Sequence, residues 1–414
     1  MKIQRIRALE ILDSRGNPTV HAEVLLSNGV RATAQAPSGA STGRHEAFEL
    51  RDGDANRYAG KGVLQAVRNI ETVLGPSLHG LDPVDQPTID ARLVETDGSD
   101  NKRRLGANAL LAVSCAVARA AAVARGIPLW RHLAGSRMAA IPTPMVNILS
   151  GGLHAGRNIE FQDFLVIPRG YPNLAAELEA IVGVHRATHR LLEARGCTLT
   201  GVADEGGWGP RLASNEEAAA ILREAIESAG AQMDIALDVA ASHFFRNGHY
   251  ALEGQELSAF AMVDLLAGWT QKYGIVSIED PLAEDDWDGW KNITKRLGPK
   301  IALVGDDLFA TNIARLNRGI SEGVANAVLV KMNQIGTLTE TFVVIDRARE
   351  SGYGAVISAR SGETEDTFLA DLAVASGAGG IKIGSITRSE RLAKYNRLLE
   401  IEKWELDSVR DSGK

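Results

Sequence analysis

The sequence predicts an α/β chain of two parts: an N-terminal α+β domain, residues 1–137, and a closed barrel of alternating strands and helices, residues 138–414. Three observations carry that prediction. Short apolar runs, each ended by a polar residue and followed by a helical stretch, recur at intervals of 41, 27, 25, 27 and 24 residues between Asp238, Glu279, Asp306, Lys331, Ser358 and Lys382, the pitch of a βα unit. The 277 residues from Met138 onward approach the size of one such barrel, about 250 residues. The GxGxxG string of a nucleotide-binding open sheet is missing, which counts against a doubly wound alternative.

In chain order, Val20–Leu26 alternates apolar and polar residues, Asn28-Gly29 supplies a tight turn, and Val30–Ala36 resumes the alternation, so this stretch predicts a β-hairpin. Pro37 to Gly43 is too rich in Gly and Ser for regular structure. Helical periodicity follows over Lys61–Leu74 and Asn108–Arg125, and the first domain ends near Gly135–Ala139. Met145–Leu149 and Phe164–Ile167 are two further apolar runs ahead of the six periodic ones, which makes eight strands. Buried strands alternating with amphipathic helices imply a parallel sheet with helices outside it.

Composition narrows the function classes. Hydrophobic residues are 45% and charged residues 23%, which excludes a disordered chain, and a net charge of −7 with dispersed acids excludes the basic face of a nucleic-acid binder. Cys115 and Cys197 cannot build a disulfide framework, so a reducing, cytoplasmic setting is expected. Met1–Glu10 lacks the layout of a signal peptide. The apolar run Leu110–Ala118 falls short of the roughly 18 residues that span a membrane.

Active sites of such barrels lie at the carboxyl ends of the strands, so Asp238, Glu279, Asp306, Lys331 and Lys382 are expected to converge. Three carboxylates without a nitrogen or sulfur ligand describe a hard-cation site, with Mg²⁺ the expected occupant. Any one of these acids also reads as a helix N-cap, but three in successive units do not. Both lysines sit inside apolar strands, where burial near a cation is expected to depress an ammonium pKa and make a general base. A divalent metal with a lysine base suits removal of a proton beside a carboxylate, an arrangement already described for enolase-superfamily sites.

Several strings resemble enolase: Ser38-Gly-Ala-Ser-Thr-Gly43, Val202-Ala-Asp-Glu-Gly-Gly207, Ala236-Leu-Asp-Val-Ala-Ala-Ser242, Ser277 to Trp287, Asn333 to Glu340, Arg360 to Asp366 and Arg388 to Asn396. The resemblance implies a capping domain on a modified (β/α)8 TIM-type barrel, with one early strand antiparallel to its neighbours. It implies Asp238, Glu279 and Asp306 as ligands of a tighter Mg²⁺, and Ser41 joining a second Mg²⁺ when substrate closes the site. Lys331 would be the base, Lys382 a charge partner for the substrate carboxylate, and Glu205 the acid assisting a leaving hydroxide, its pKa raised by neighbouring carboxylates. Asp163 would be the carboxylate that assists the leaving hydroxyl, Gln162 before it would be among the substrate-binding residues, and Arg360 and Ser361 would grip phosphate. His154 matches a substrate-side histidine, although alone it reads as a structural residue on a glycine loop. The resemblance also implies a homodimer or higher homo-oligomer.

Departures from the family pattern cluster around the expected centre. Ala359 stands where a histidine is usual, Asp163 where a glutamate is usual and Ser150 where an asparagine is usual, while the loop after Glu205 reads Trp208-Gly-Pro-Arg211. Three readings stay open. One is an enolase interconverting 2-phosphoglycerate and phosphoenolpyruvate. Another is a paralogue acting on a phospho- or phosphono-carboxylate, as in the carboxyphosphonoenolpyruvate synthases, with the space freed at Ala359 and the extra cation Arg211 suiting a larger or additional anion. The third is an inert protein that kept the fold, against which the retained ionisable residues argue.

Overall fold

The structure, a computed structural model, describes residues 1–39 and 43–406. The chain opens with β1 (Ile3–Leu12), β2 (Pro18–Leu26) and β3 (Arg31–Gln35), an antiparallel sheet in that order. The hairpin turns at Gly29, whose φ of +86° suits glycine, and Asn28 Oδ1 accepts the Val30 N–H at 3.2 Å. Alternate residues of β2 are fully buried because the helix Ala107–Arg125 packs across β2 and β3. The helix Gln86–Asp97 escaped the periodicity reading; Asp85 caps it by accepting the Thr88 N–H, with Pro87 in its first turn.

The Ala107–Arg125 helix corrects one expectation. The run Leu110–Ala118 looked too short to span a membrane, yet this 19-residue helix is long and apolar enough by length and composition. In the fold, 83% of its apolar window is buried within the protein, so the helix serves as core.

The barrel is built from β4 (Thr143–Ser150), β5 (Asp163–Pro168) and β6 (Met233–Asp238); a small antiparallel sheet of β7 (Phe245–Arg246), β8 (His249–Leu252) and β9 (Gln255–Leu257) follows. Then come β10 (Ile275–Glu279), β11 (Ala302–Gly305), β12 (Ala327–Val330), β13 (Gly354–Ser358) and β14 (Gly380–Gly384), which pairs with β4 and closes the ring. All eight expected strands are present, and β5 runs antiparallel to both β4 and β6. Met145, Leu165, Ala236, Val304, Leu329 and Val356 fill the barrel interior as a separate apolar cluster.

The N-terminal domain seats on the carboxyl end of the barrel through backbone bonds. Ser14 donates to the Glu363 carbonyl at 2.7 Å, Ser38 and Gly362 exchange two bonds at 2.8 Å, and Ala47 donates to the Gln334 carbonyl at 2.7 Å. Asp366 accepts the Gln35 N–H at 2.9 Å and pairs with Arg119 at 2.6 Å. The first domain thereby roofs the mouth of the barrel.

Candidate active site

At that mouth lies a small, mostly polar cleft lined by both domains. Asp238 ends β6, Asp306 and Lys331 follow β11 and β12, Ala359, Arg360 and Ser361 follow β13, and Lys382 projects from β14; all line the cleft with His154, Gln162 and Glu205. Because β5 is antiparallel, its first residues reach the mouth, which brings Gln162 beside Asp238: the Gln162 amide donates to Asp238 Oδ2 at 2.9 Å. The N-cap reading of the acids does not hold, because Ser258, Asp286 and Asn312 cap the helices that follow β6, β10 and β11.

Two predicted residues do not line the cleft. Glu279, at the end of β10, lies beneath it and accepts a bond from Lys382 Nζ at 2.7 Å. Asp163 is fully buried behind His154, its Oδ1 taking the Asn147 amide at 2.5 Å and the Ser150 hydroxyl at 3.3 Å. These bonds hold the short aspartate side chain outside the lining of the cleft. Ser41 lies outside the described residues.

The carboxylates are balanced by ammoniums. Lys382 Nζ bridges Asp238 at 2.6 Å and Glu279 at 2.7 Å, so those two acids approach one cation centre. Asp306 bonds Lys331 Nζ on one oxygen and takes the Gln334 amide on the other at 3.0 Å. The three predicted ligands therefore do not form one tight cluster, since the Lys331 and Gln334 contacts turn Asp306 away; the acids that meet closely are Asp280, Asp306 and Asp307. Both oxygens of Asp280 already accept backbone N–H groups, from Asp306 at 2.9 Å and Asp307 at 2.7 Å, so Asp280 shapes this loop. Asp238, Glu279 and Asp306 remain an all-oxygen, buried set on three adjacent strands, with two of them already sharing a cation, and this donor chemistry fits Mg²⁺.

The electrostatics reverse the expectation for Glu205. Burial is the largest influence on both lysines and lowers their pKa, but Asp306 with Glu279 at Lys331, and Asp238, Glu279 and Asp163 at Lys382, together outweigh it, so with these acids as neighbours both are raised. Burial raises Glu205, but His154, Arg391 and Lys382 outweigh it and hold its carboxyl below the usual range. Burial pulls His154 down, while Glu205 and Asp163 lift it to about 9. Burial and then the Asp238 charge push Glu279 well up, and burial with Asp306 lifts Asp307 to about 7.

Around Arg360 the sequence reading missed two partners. The guanidinium donates to Glu46 Oε2 and to Asn333 Oδ1, each at 3.0 Å. Behind it, fully buried Arg391 donates to the carbonyls of Arg360 at 2.7 Å and Ser361 at 2.6 Å, fixing that turn. Asn333, Gln334 and Arg391 lie within the strings that carried the resemblance, so position offered a signal for them. Glu46 offered none beyond lying three residues after Gly43.

Residues 3–133 match the family described as "Enolase, N-terminal domain", and residues 138–413 match "Enolase, C-terminal TIM barrel domain". The chain belongs to the enolase family. It is an enolase-superfamily lyase by that match, and enolases use Mg²⁺. Within the enolase framework, the strand ends supply acids and lysines, the β4–β5 connection supplies His154, and the loop after the helix Leu174–Ala194 supplies Glu205. That loop is pinned to the turn after β14: the Ser385 N–H donates to the Glu205 carbonyl at 2.8 Å and the Thr387 hydroxyl to the Gly206 carbonyl at 2.7 Å.

Proposed function

We propose that this enolase interconverts 2-phosphoglycerate and phosphoenolpyruvate with Mg²⁺ held by Asp238, Glu279 and Asp306. The observation that carries this reading is one cleft lined by Lys331, Lys382 and Arg360, whose two lysine ammoniums sit on the buried carboxylates of Asp306, Asp238 and, beneath the cleft, Glu279. Bound there, Mg²⁺ supplies the positive charge that stabilises the dianion formed at the substrate carboxylate. Lys331, in its free-amine form, takes the proton beside that carboxylate, and Lys382 faces the carboxylate charge. Arg360 and Ser361 bind the phosphate, the planar guanidinium meeting two oxygens at once. Glu205 faces the hydroxyl that leaves. The test is absorbance of phosphoenolpyruvate formed from 2-phosphoglycerate with millimolar Mg²⁺; lack of turnover refutes the assignment.

A second reading is favoured by Ala359, whose methyl lines the cleft next to Arg360 and leaves room for a larger anion. Under it, a phosphono-carboxylate is turned over faster than 2-phosphoglycerate. Comparing kcat/KM for the two substrates decides between them.

A further inference from the structure

Beside the cleft lies a second chamber, lined among others by Leu153, Arg157, Asn158, Glu160 and His243. Leu153 and His243 line the cleft as well, so the two spaces meet along that border. His154 follows Leu153 directly, and its Nε2 is 3.6 Å from Glu205 Oε1. The border therefore lies on the side of the cleft where the hydroxyl leaves.

Arg157 is exposed, and its guanidinium makes no hydrogen bond or ion pair among the described residues. Its backbone N–H donates to the Gly152 carbonyl at 2.6 Å, and its φ of +60°, directly after Gly156 at +67°, is left-handed. Glycine would meet that turn without strain, so backbone geometry does not account for an arginine here. The carboxylate in the same chamber is committed elsewhere: Glu160 Oε2 accepts the Asn215 amide at 2.7 Å and Oε1 the Glu253 N–H at 3.0 Å. Asn158 likewise donates its amide to the Gly209 carbonyl at 3.0 Å.

His243 enters from the opposite side, on the short turn Ala241–Phe244 that follows β6. Its backbone N–H is held by the Ala240 carbonyl at 3.0 Å, while its half-buried ring has no hydrogen-bond partner among the described residues. An imidazole offers an N–H to an anion in either protonation state. One chamber next to the reacting groups thus holds a guanidinium and an imidazole, both without partners, and a carboxylate that pairs with neither.

We propose that Arg157 and His243 form a second anion subsite, which takes a carboxylate carried on the hydroxyl-bearing carbon of the substrate, so that phosphorylated hydroxy-dicarboxylates are substrates of this site. The proposal rests on the lyase reading above and deepens it. The bonds that change are those of the parent reaction: Lys331 takes the proton beside the first carboxylate, and that C–H pair becomes the C=C bond. The C–O pair stays on the departing oxygen, which leaves as water with a proton drawn ultimately from solvent. The added carboxylate gains and loses no bond; Arg157 meets its oxygens through the guanidinium fork.

The test uses the full chain with Mg²⁺ and compares 2-phosphoglycerate with the stereoisomers of 2-phosphotartrate, which carry a carboxylate in place of one hydrogen on the hydroxyl-bearing carbon. Absorbance of the new double bond follows both reactions. Arg157→Gly suits the left-handed backbone, so loss of the fold does not confound it. It should lower the ratio of kcat/KM for 2-phosphotartrate to that for 2-phosphoglycerate about 10-fold, the low end for a hydrogen bond between charged groups. His243→Phe should lower the same ratio severalfold. A wild-type chain that turns over 2-phosphoglycerate but not 2-phosphotartrate overturns the subsite, as does a ratio unchanged in both variants. A free anion seated in the chamber would instead make 2-phosphoglycerate turnover depend on added acetate in wild type and not in Arg157→Gly, which also overturns it. Turnover of 2-phosphotartrate alone, reduced about 10-fold in Arg157→Gly, supports the subsite and refutes 2-phosphoglycerate as the substrate. A wild-type chain that turns over neither compound overturns the lyase reading and this proposal with it.

Discussion

Glu46 of the first domain and Arg360 of the barrel form an ion pair at 3.0 Å, with side chains only 6% and 5% exposed. A carboxylate therefore occupies the guanidinium proposed to receive the substrate phosphate. Glu46→Gln removes one partner of a buried pair, a change that costs about 3–5 kcal/mol. The variant should melt lower than wild type and be stabilised more by millimolar inorganic phosphate. Equal phosphate-induced shifts in Tm would show that Glu46 does not compete for this site.

Lys382 shields Asp238 from Glu279. Lys382→Met leaves the two carboxylates facing each other, so the variant should be destabilised in EDTA and recover with Mg²⁺ more steeply than wild type. At 100 times Kd the ion contributes about 2.7 kcal/mol of stability. Thermal melts over a Mg²⁺ series measure this, and a variant indifferent to Mg²⁺ would refute the assignment of these acids.

His185 stacks on Trp208 with ring centroids 4.7 Å apart, and its buried Nε2 has no hydrogen-bond partner among the described residues. Burial lowers its pKa to about 4 from the ordinary 6.5. The unfolded chain thus takes up a proton at higher pH than the folded one. Stability from this group is full above pH 6.5, declines as pH falls towards 4, and levels off below that, a loss of up to about 3 kcal/mol. Urea melts of wild type and His185→Phe between pH 7 and 4 should differ in slope; parallel curves would remove His185 as the cause.

Asp163→Glu adds a methylene inside the Asn147–Ser150 pedestal. Overpacking there should cost about 1–3 kcal/mol and not bring a carboxylate to substrate. Ala359→His, in contrast, changes a residue that lines the cleft and should alter KM with little change in Tm. Kinetics and melts of the two variants separate these outcomes, and improved turnover in Asp163→Glu would contradict the buried placement.

Residues that end strands were legible because the βα period fixes where they fall: Asp238, Asp306, Lys331 and Lys382 reach one cleft as the spacing predicted. Strand direction was not legible in the same way, since the apolar run Phe164–Ile167 reads identically in either sense; only the family resemblance supplied the reversal of β5. The charge state of Glu205 was misread, because it depends on a neighbour brought close by folding, the His154 ring. The buried placement of Asp163 was not legible for a similar reason. Its reach was judged from side-chain length, while Asn147 and Ser150 decide where it points.

The reversed stave has one more effect. Because β4 leaves the rim and β5 re-enters at it, the short connector carrying His154 is anchored at both ends beside the reacting groups. Lengthening or trimming that connector would shift two facing surfaces of the chamber together, so tolerance to insertions should be lower there than at any hairpin on the far side of the molecule.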